Sequence, residues 1–283
     1  MLTALLGALT ATLFGSSDFL GGLASRRSPA LWITTVVYAM GVASLTLVLL
    51  LLRPAALTRL DVTWAVASGF AGTAGVLSLY AALASGRMGI VAPVTAALAG
   101  AGPAVFDFVT GVHVRPSALV GLGLALVAVI VVSTITDSED EHHTPPRAVA
   151  LAVTAGVGFG VSLICLSRTA PASGLAPLLV ARVTGFAVLV LAIAARQGGR
   201  GQPSLQAATL RIAAAAGLLD AAANVTMLSA VRIGPLAVAS VIGALYPVAT
   251  ILLARTVLRE RLHGQQVVGV VLALAAVVLT ALP

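Results

Sequence analysis

Asp137-Ser-Glu-Asp-Glu-His-His-Thr-Pro-Pro-Arg147 divides this chain in two. It is the only strongly polar segment in 283 residues, of which 59% are hydrophobic and 9% charged. Pro145 and Pro146 stop a helix there, so residues 137–147 read as a linker. On its N-terminal side, charge-free stretches cover 28–52, 62–86, 88–106 and 116–136, and residues 2–23 qualify if Asp18 is admitted. On its C-terminal side they cover 148–167, 233–254 and 264–283, joined by 174–195 with Arg182 and 212–231 with Asp220. Each is near or above the roughly 17–25 residues that cross a hydrocarbon core as a helix. In lipid every backbone polar group must pair internally, which leaves helices or a closed barrel. Barrel strands alternate in polarity over about ten residues; Ala125-Leu-Val-Ala-Val-Ile-Val-Val132 is continuous instead. The expectation is an all-α, polytopic membrane protein of ten helices.

Five spans on each side is an odd number. A five-helix unit enters and leaves on opposite faces of the membrane, so a second copy is inverted relative to the first. The halves match in order: Phe14-Gly15 with Phe159-Gly160, Arg87-Met-Gly89 with Arg232-Ile-Gly234, Ala-Gly-Ala-Gly-Pro103 with Gly-Ala-Leu-Tyr-Pro247, and Gly121 with Gly269. Each match is weak alone; the shared order and nearly constant offset give the set its weight. Residues 1–136 and 148–283 are therefore expected to be inverted repeats around a central cavity, an architecture that places substrate near the bilayer midplane. Pro103 and Pro247 lie at matched places in the fourth and ninth spans, where an interior proline kinks a helix. They read either as ordinary bends or as hinges shaping the cavity. Small residues four apart, such as Gly7, Ala11 and Gly15, allow close helix contact.

Composition excludes several functions. The net charge of +7 comes from 16 Arg and no Lys, spread singly through short loops with no basic patch or aromatic platform for nucleic acid. Topology signals and loop-end snorkelling account for them better. Cys165 is the only cysteine and lies in an apolar span, so it reads as a small hydrophobe. His142-His143 beside Glu139, Asp140 and Glu141 lacks the ligand spacing of a dedicated metal site. The N-terminus has no basic signal-peptide region, so residues 2–23 are expected to be a retained helix. Loops carrying Walker or Gly-x-Ser-x-Gly motifs are missing from the sequence.

The pattern resembles the drug/metabolite transporter superfamily, in its EamA-type ten-helix branch. The resemblance runs through nearly the whole chain. It is carried by the two five-helix halves, Phe14-Gly-Ser-Ser-Asp-Phe-Leu-Gly-Gly22, Arg182 in the seventh span, Gly-Ala-Leu-Tyr-Pro247 and Glu260-Arg-Leu-His-Gly-Gln-Gln-Val-Val-Gly269. It implies two inverted bundles around a central cavity and transport of small metabolites, amino acids or drugs, often with proton coupling. The first half departs from the family: Val112-His113 stand where Glu260-Arg261 stand in the second, and Tyr38 stands where Arg182 stands.

The candidate site residues are the polar groups inside spans. An ionised group at the bilayer centre costs roughly 2.5–3.5 kcal/mol on insertion scales, and such groups mark polar paths. Asp220 and Asn224 are one turn apart on one face of the eighth span. Asp220 reads as a proton- or substrate-binding carboxylate, or as a partner of Arg182. Arg182 is too deep to snorkel and suits a carboxylate or phosphate, or a structural pair with Asp220 or Asp18. Asp18 lies nearer a helix end, with Arg26-Arg27 close by, so an interface position is favoured over a cavity one. Asp107 follows Pro103 by four residues and reads as a minor candidate. Tyr80 and Tyr246 are deep enough to line a cavity, and Tyr38 completes the set; Trp32 and Trp64 read as interface anchors. Asp220 aligns with Gly75, Asn224 with Leu79 and Tyr80 with Val225, so the backbone repeats while the polar lining does not.

The function expected is secondary active transport of a small molecule across the cytoplasmic membrane by alternating access, as proton-coupled efflux. The alternatives are a flippase for lipid-linked substrates and, more remotely, an intramembrane enzyme. A proton or ion gradient takes the place of a cofactor. The partners are substrate and lipid bilayer, without nucleic acid, in a monomer or homodimer. Orientation reads two ways. Apart from Arg182, ten Arg fall on the side of the linker and five on the side of the termini, which puts the termini outside; the family resemblance puts them inside, and is preferred.

Overall fold

The computed structural model describes residues 2–51, 56–109, 144–196, 205–233 and 246–259, with scattered helical positions within 117–127 and 267–279. The described residues fold into eight α-helices: α1 (Leu2–Ser25), α2 (Ala30–Leu51), α3 (Arg59–Ser85), α4 (Met88–Val109), α5 (Pro146–Ser167), α6 (Ala176–Arg196), α7 (Ala207–Ile233) and α8 (Tyr246–Val257). A 3-10 turn at Pro171–Ser173 precedes α6. Five of the helices, α2, α3, α5, α6 and α7, are long and apolar enough to cross a membrane. These eight helices fall on the first four and sixth to ninth expected spans. The fifth and tenth spans, and most of the linker, lie outside the described residues.

Polarity is arranged for lipid rather than water. Outward positions carry Leu50, Leu51, Leu60, Leu191 and Phe70, whereas Thr10, Ser17, Thr34, Ser68, Thr73, Thr95, Asp220 and Thr250 are buried. Lipid tails give apolar side chains no reason to turn inward, so helices associate through close packing and buried hydroxyl bonds. Thr10 pairs with Thr226 at 2.8 Å, and Ser68 with Ser162 at 2.7 Å. The Thr95 hydroxyl donates to Val91 O and, across the helix contact, to Ala152 O.

The helix contacts repeat. α1 packs on α7 as α5 packs on α3; α2 packs on α7 as α6 packs on α3; α1 packs on α8 as α5 packs on α4. α2 meets α6, and α4 meets α8. Each of these contacts between the two sets maps onto another, or onto itself, when the first four helices are exchanged with the last four; the contacts within the first four, such as α1 on α3, have no comparable counterpart among the described residues. The register also fixes direction. Going up α2, Tyr38 meets Gly185, Gly41 meets Arg182, and Leu45 clusters with Leu178, so α2 and α6 run antiparallel.

Helix ends are held by specific bonds. Thr58 and Asp61 form a capping box at the start of α3, and the other Asp61 carboxylate oxygen accepts from Ala170 N at 2.7 Å, joining the two parts of the chain. Arg26 donates to Leu83 O and Gly86 O, satisfying carbonyls at the end of α3. Pro93 and Pro103 both lie inside α4, which stays α-helical through them. Pro247 is buried in α8; residues 234–245 of the ninth span lie outside the described residues.

Closeness of α3 to α6 rests on Gly69, where an added Cβ would lie 2.6 Å from Ala181 O and 2.8 Å from Thr184 Cβ. Gly69→Ala is therefore expected to destabilise the protein by about 1–3 kcal/mol. Gly123→Ala, whose Cβ meets nothing within 4 Å, is the matched control. Thermal unfolding in detergent reads both; equal midpoints would contradict this packing.

Candidate functional site

Seven of the eight candidate side chains come together in the interior, carried by α1, α2, α3, α6, α7 and α8. At their centre Arg182 of α6 forms an ion pair with Asp220 of α7, through Nη2 and Oδ2. Both side chains are nearly covered, at 11% and 12% exposure. The guanidinium also lies over the Tyr38 ring, 4.6 Å from its centroid, within cation–π range. Tyr38 and Arg182 are the positions that correspond between the halves, so the two counterparts stack on each other where α2 crosses α6. The contact to Asp220 is single-pronged, and Arg182 Nη1 is buried without a hydrogen-bond partner. Asn224, one turn along α7, donates to Asp220 O at 2.8 Å and sits beside its carboxylate.

The tyrosines sit near buried hydroxyls. Tyr38 lies beside Thr73, whose hydroxyl donates to Gly69 O at 2.6 Å. The Tyr80 ring lies against Gly21 of α1, one turn from Ser17, whose hydroxyl donates to Ala216 O at 2.8 Å. Ser17 and Thr73 each give their proton to a carbonyl. Gly185 makes the first arrangement fit, because any Cβ there would run into Thr73 Oγ1 and the Tyr38 ring. Tyr80 is fully covered, and lies within electrostatic reach of Asp220, Asp18 and Arg182.

Asp18 corrects the expectation of an interface position. α1 runs on to Ser25, which leaves Asp18 inside the helix. Its carboxylate senses Asp220, and Tyr246 senses Asp18 in turn. Arg26, which had suggested a membrane surface, is engaged with the end of α3. Tyr246 packs edge-on to Phe14, with centroids 6.4 Å apart, and its hydroxyl is buried without a partner. Trp32 is partly buried against the core rather than free at a boundary. The Asp107 and Pro103 side chains lie outside the described residues. Sequence reading missed Thr73 as a site residue and left Ser17 within a motif.

The unlike lining has a steric cause. Gly75, the counterpart of Asp220, faces the Phe159 ring, which an added Cβ would approach to 2.7 Å. Leu79, the counterpart of Asn224, is fully buried. Apolar groups, Phe159 from the second half and Leu79 from the first, fill the place that matches the carboxylate and amide.

Residues 146–282 match the EamA-like transporter family. That match spans the second half of the chain; the family is part of the drug/metabolite transporter superfamily, and together with the apolar helices it supports a multi-pass membrane transporter of small substrates. No curated protein matches the chain. Among solved structures, one titled "Crystal structure of protein" aligns with 98% of this chain and 95% of its own, at a TM-score of 0.62 and 18% identity. That likeness extends the fold over both halves.

Removing one partner of a buried pair strands the other charge at a cost of about 3–5 kcal/mol. Asp220→Asn and Arg182→Gln are each expected to lower stability strongly, and the double substitution by less than their sum, with a coupling of about 0.5–3 kcal/mol. Unfolding of the four proteins in detergent measures the cycle; additive losses would contradict a direct pair.

Proposed function

We propose that the chain is a proton-coupled secondary transporter that exports a small molecule across the cytoplasmic membrane by alternating access. The carrying observation is the Arg182–Asp220 pair, closed on itself between α6 and α7 and capped by Tyr38. The pair is satisfied only while both charges are present. A proton on Asp220 removes one charge and releases Arg182; an anionic group on the substrate competes for the guanidinium with the same result. Either event uncouples α6 from α7 in a low-dielectric interior, where losing the pair matters most. Coupling then means that proton and substrate use the same pair in different steps.

The motion is supplied by the repeat. We take the full architecture as ten helices in two inverted halves, residues 1–136 and 148–283 joined by 137–147. The exchange symmetry of the helix contacts and the antiparallel run of α2 against α6 support it. In such an arrangement rocking one half against the other opens the midplane site to each side in turn. The symmetric packing makes the two end states similar in energy, while the asymmetric lining makes the site selective. Pro103 and Pro247 stand in this reading as bends of the fourth and ninth helices. Both termini are placed in the cytoplasm, in line with the family. The chemistry is movement rather than catalysis.

The test is transport in proteoliposomes under an imposed proton gradient, using a compound selected by an efflux and toxicity screen of cells producing the wild type. Substrate addition is expected to dissipate the gradient. Asp220→Asn is expected to reduce proton-linked flux by at least about tenfold, equivalent to about 1.4 kcal/mol, with the protein still monodisperse. Wild-type flux and coupling in that variant would overturn the proposal.

A further inference from the structure

The ion pair leaves one charge unanswered. Arg182 is committed to Asp220, and among the described residues the Asp18 carboxylate forms neither an ion pair nor a hydrogen bond. Asp18 is half-buried within α1. Four residues earlier on the same face of α1 is Phe14, whose ring meets the Tyr246 ring edge-on at 62°. The Tyr246 hydroxyl is buried without a partner, although it lies within electrostatic reach of Asp18. A buried hydroxyl normally finds a partner, and leaving one unmet costs about 1–3 kcal/mol. Tyr246 is held against α1 beside Phe14: a Cβ added at Gly15 would run into Tyr246 O. The other titratable groups nearby are Asp220 from α7 and Tyr80 from α3; Asp220 adds negative potential.

A carboxylate, an open hydroxyl and two aromatic rings are complementary to one kind of group. A substituted ammonium gives N–H donors to the carboxylate and hydroxyl, and its positive charge favours ring faces. An anion would meet two carboxylates, and a neutral alcohol would leave Asp18 charged and unpaired. We propose that Asp18, Phe14 and Tyr246 form a subsite for the ammonium group of an organic amine, separate from the Arg182–Asp220 pair. This rests on the transporter reading above and names the charge of its substrate. Arg182, with Nη1 unpartnered, would remain for a carboxylate or other anionic group on the same molecule. The pseudo-repeat has no second copy of this subsite: Leu163 stands at the place of Asp18 and Gly102 at that of Tyr246.

Equilibrium dialysis of the purified full chain in detergent tests the subsite, with benzylammonium, benzyl alcohol, benzoate and sodium ion as probes. Wild type is expected to bind benzylammonium in preference to benzyl alcohol and benzoate. Asp18→Asn is expected to weaken benzylammonium by about tenfold or more, and Tyr246→Phe by about threefold to fivefold. Weak binding of benzyl alcohol is expected to change by less than about twofold in either variant. Tyr246→Phe keeps the ring and removes only the hydroxyl, so it decides the matter if Asp18→Asn fails to fold. The proposal is overturned if no amine binds, if benzoate is preferred, if sodium alone displaces benzylammonium, or if Tyr246→Phe leaves amine affinity unchanged. If the amine binds but no proton-linked flux occurs in liposomes, the subsite stands and the coupled-transport reading falls. If flux is intact and amine binding absent, the reverse holds.

Discussion

The Arg182–Asp220 pair is the constraint around which the interior is arranged. Taking two charges out of water costs several kcal/mol each even after relaxation, and their attraction repays this only with good geometry and further bonds. Here the further contacts are the Tyr38 ring over the guanidinium and Asn224 beside the carboxylate. Hydrophobic residues of similar size would serve a static bundle as well or better. A pair that is costly to keep and costlier to break in half makes more sense in a protein that opens it. The single-pronged contact, with Arg182 Nη1 left over, leaves a donor for another group.

Packing and lining follow different logics in this chain. Helix contacts are exchanged into one another between the two sets of four helices, and small residues and hydroxyls carry them. Those contacts need shape and local bonding, which both halves preserve. The lining needs chemistry, which a pseudo-two-fold site supplies twice unless one copy is filled. Phe159 against Gly75 and the buried Leu79 do the filling. What remains is one carboxylate–guanidinium pair with Tyr38 across the crossing, and Asp18 with Tyr246 beside it.

Much of this was legible in the sequence because lipid is an intolerant solvent. Helical spans could be read from charge-free length, since no other open backbone structure survives in hydrocarbon. The site could be read from the few charges that broke the rule, and Asp220, Arg182, Tyr38 and Tyr80 do meet. The partnering could not be read: Arg182 had two acids within plausible reach, and only the packing of both α6 and α7 on α2 chooses Asp220. Asp18 was misjudged because Arg26-Arg27 suggested a membrane surface, whereas Arg26 serves the carbonyls of α3. Thr73 carried no signal, because threonines such as Thr34 and Thr95 also bond their own helix carbonyls. The first half's departures, Tyr38 for arginine and Gly75 for aspartate, became intelligible only as parts of one asymmetric interior.

The direct test of the account is whether the Arg182–Asp220 pair opens during turnover. Infrared difference spectra of the protein in liposomes, recorded with and without a transported substrate, report carboxylate and protonated carboxyl bands. Asp220→Asn assigns them. The account expects substrate to perturb a carboxyl band that disappears in Asp220→Asn, with a matching guanidinium change lost in Arg182→Gln. Saturating transport with no change in either band would mean that the pair stays closed throughout, and would contradict it.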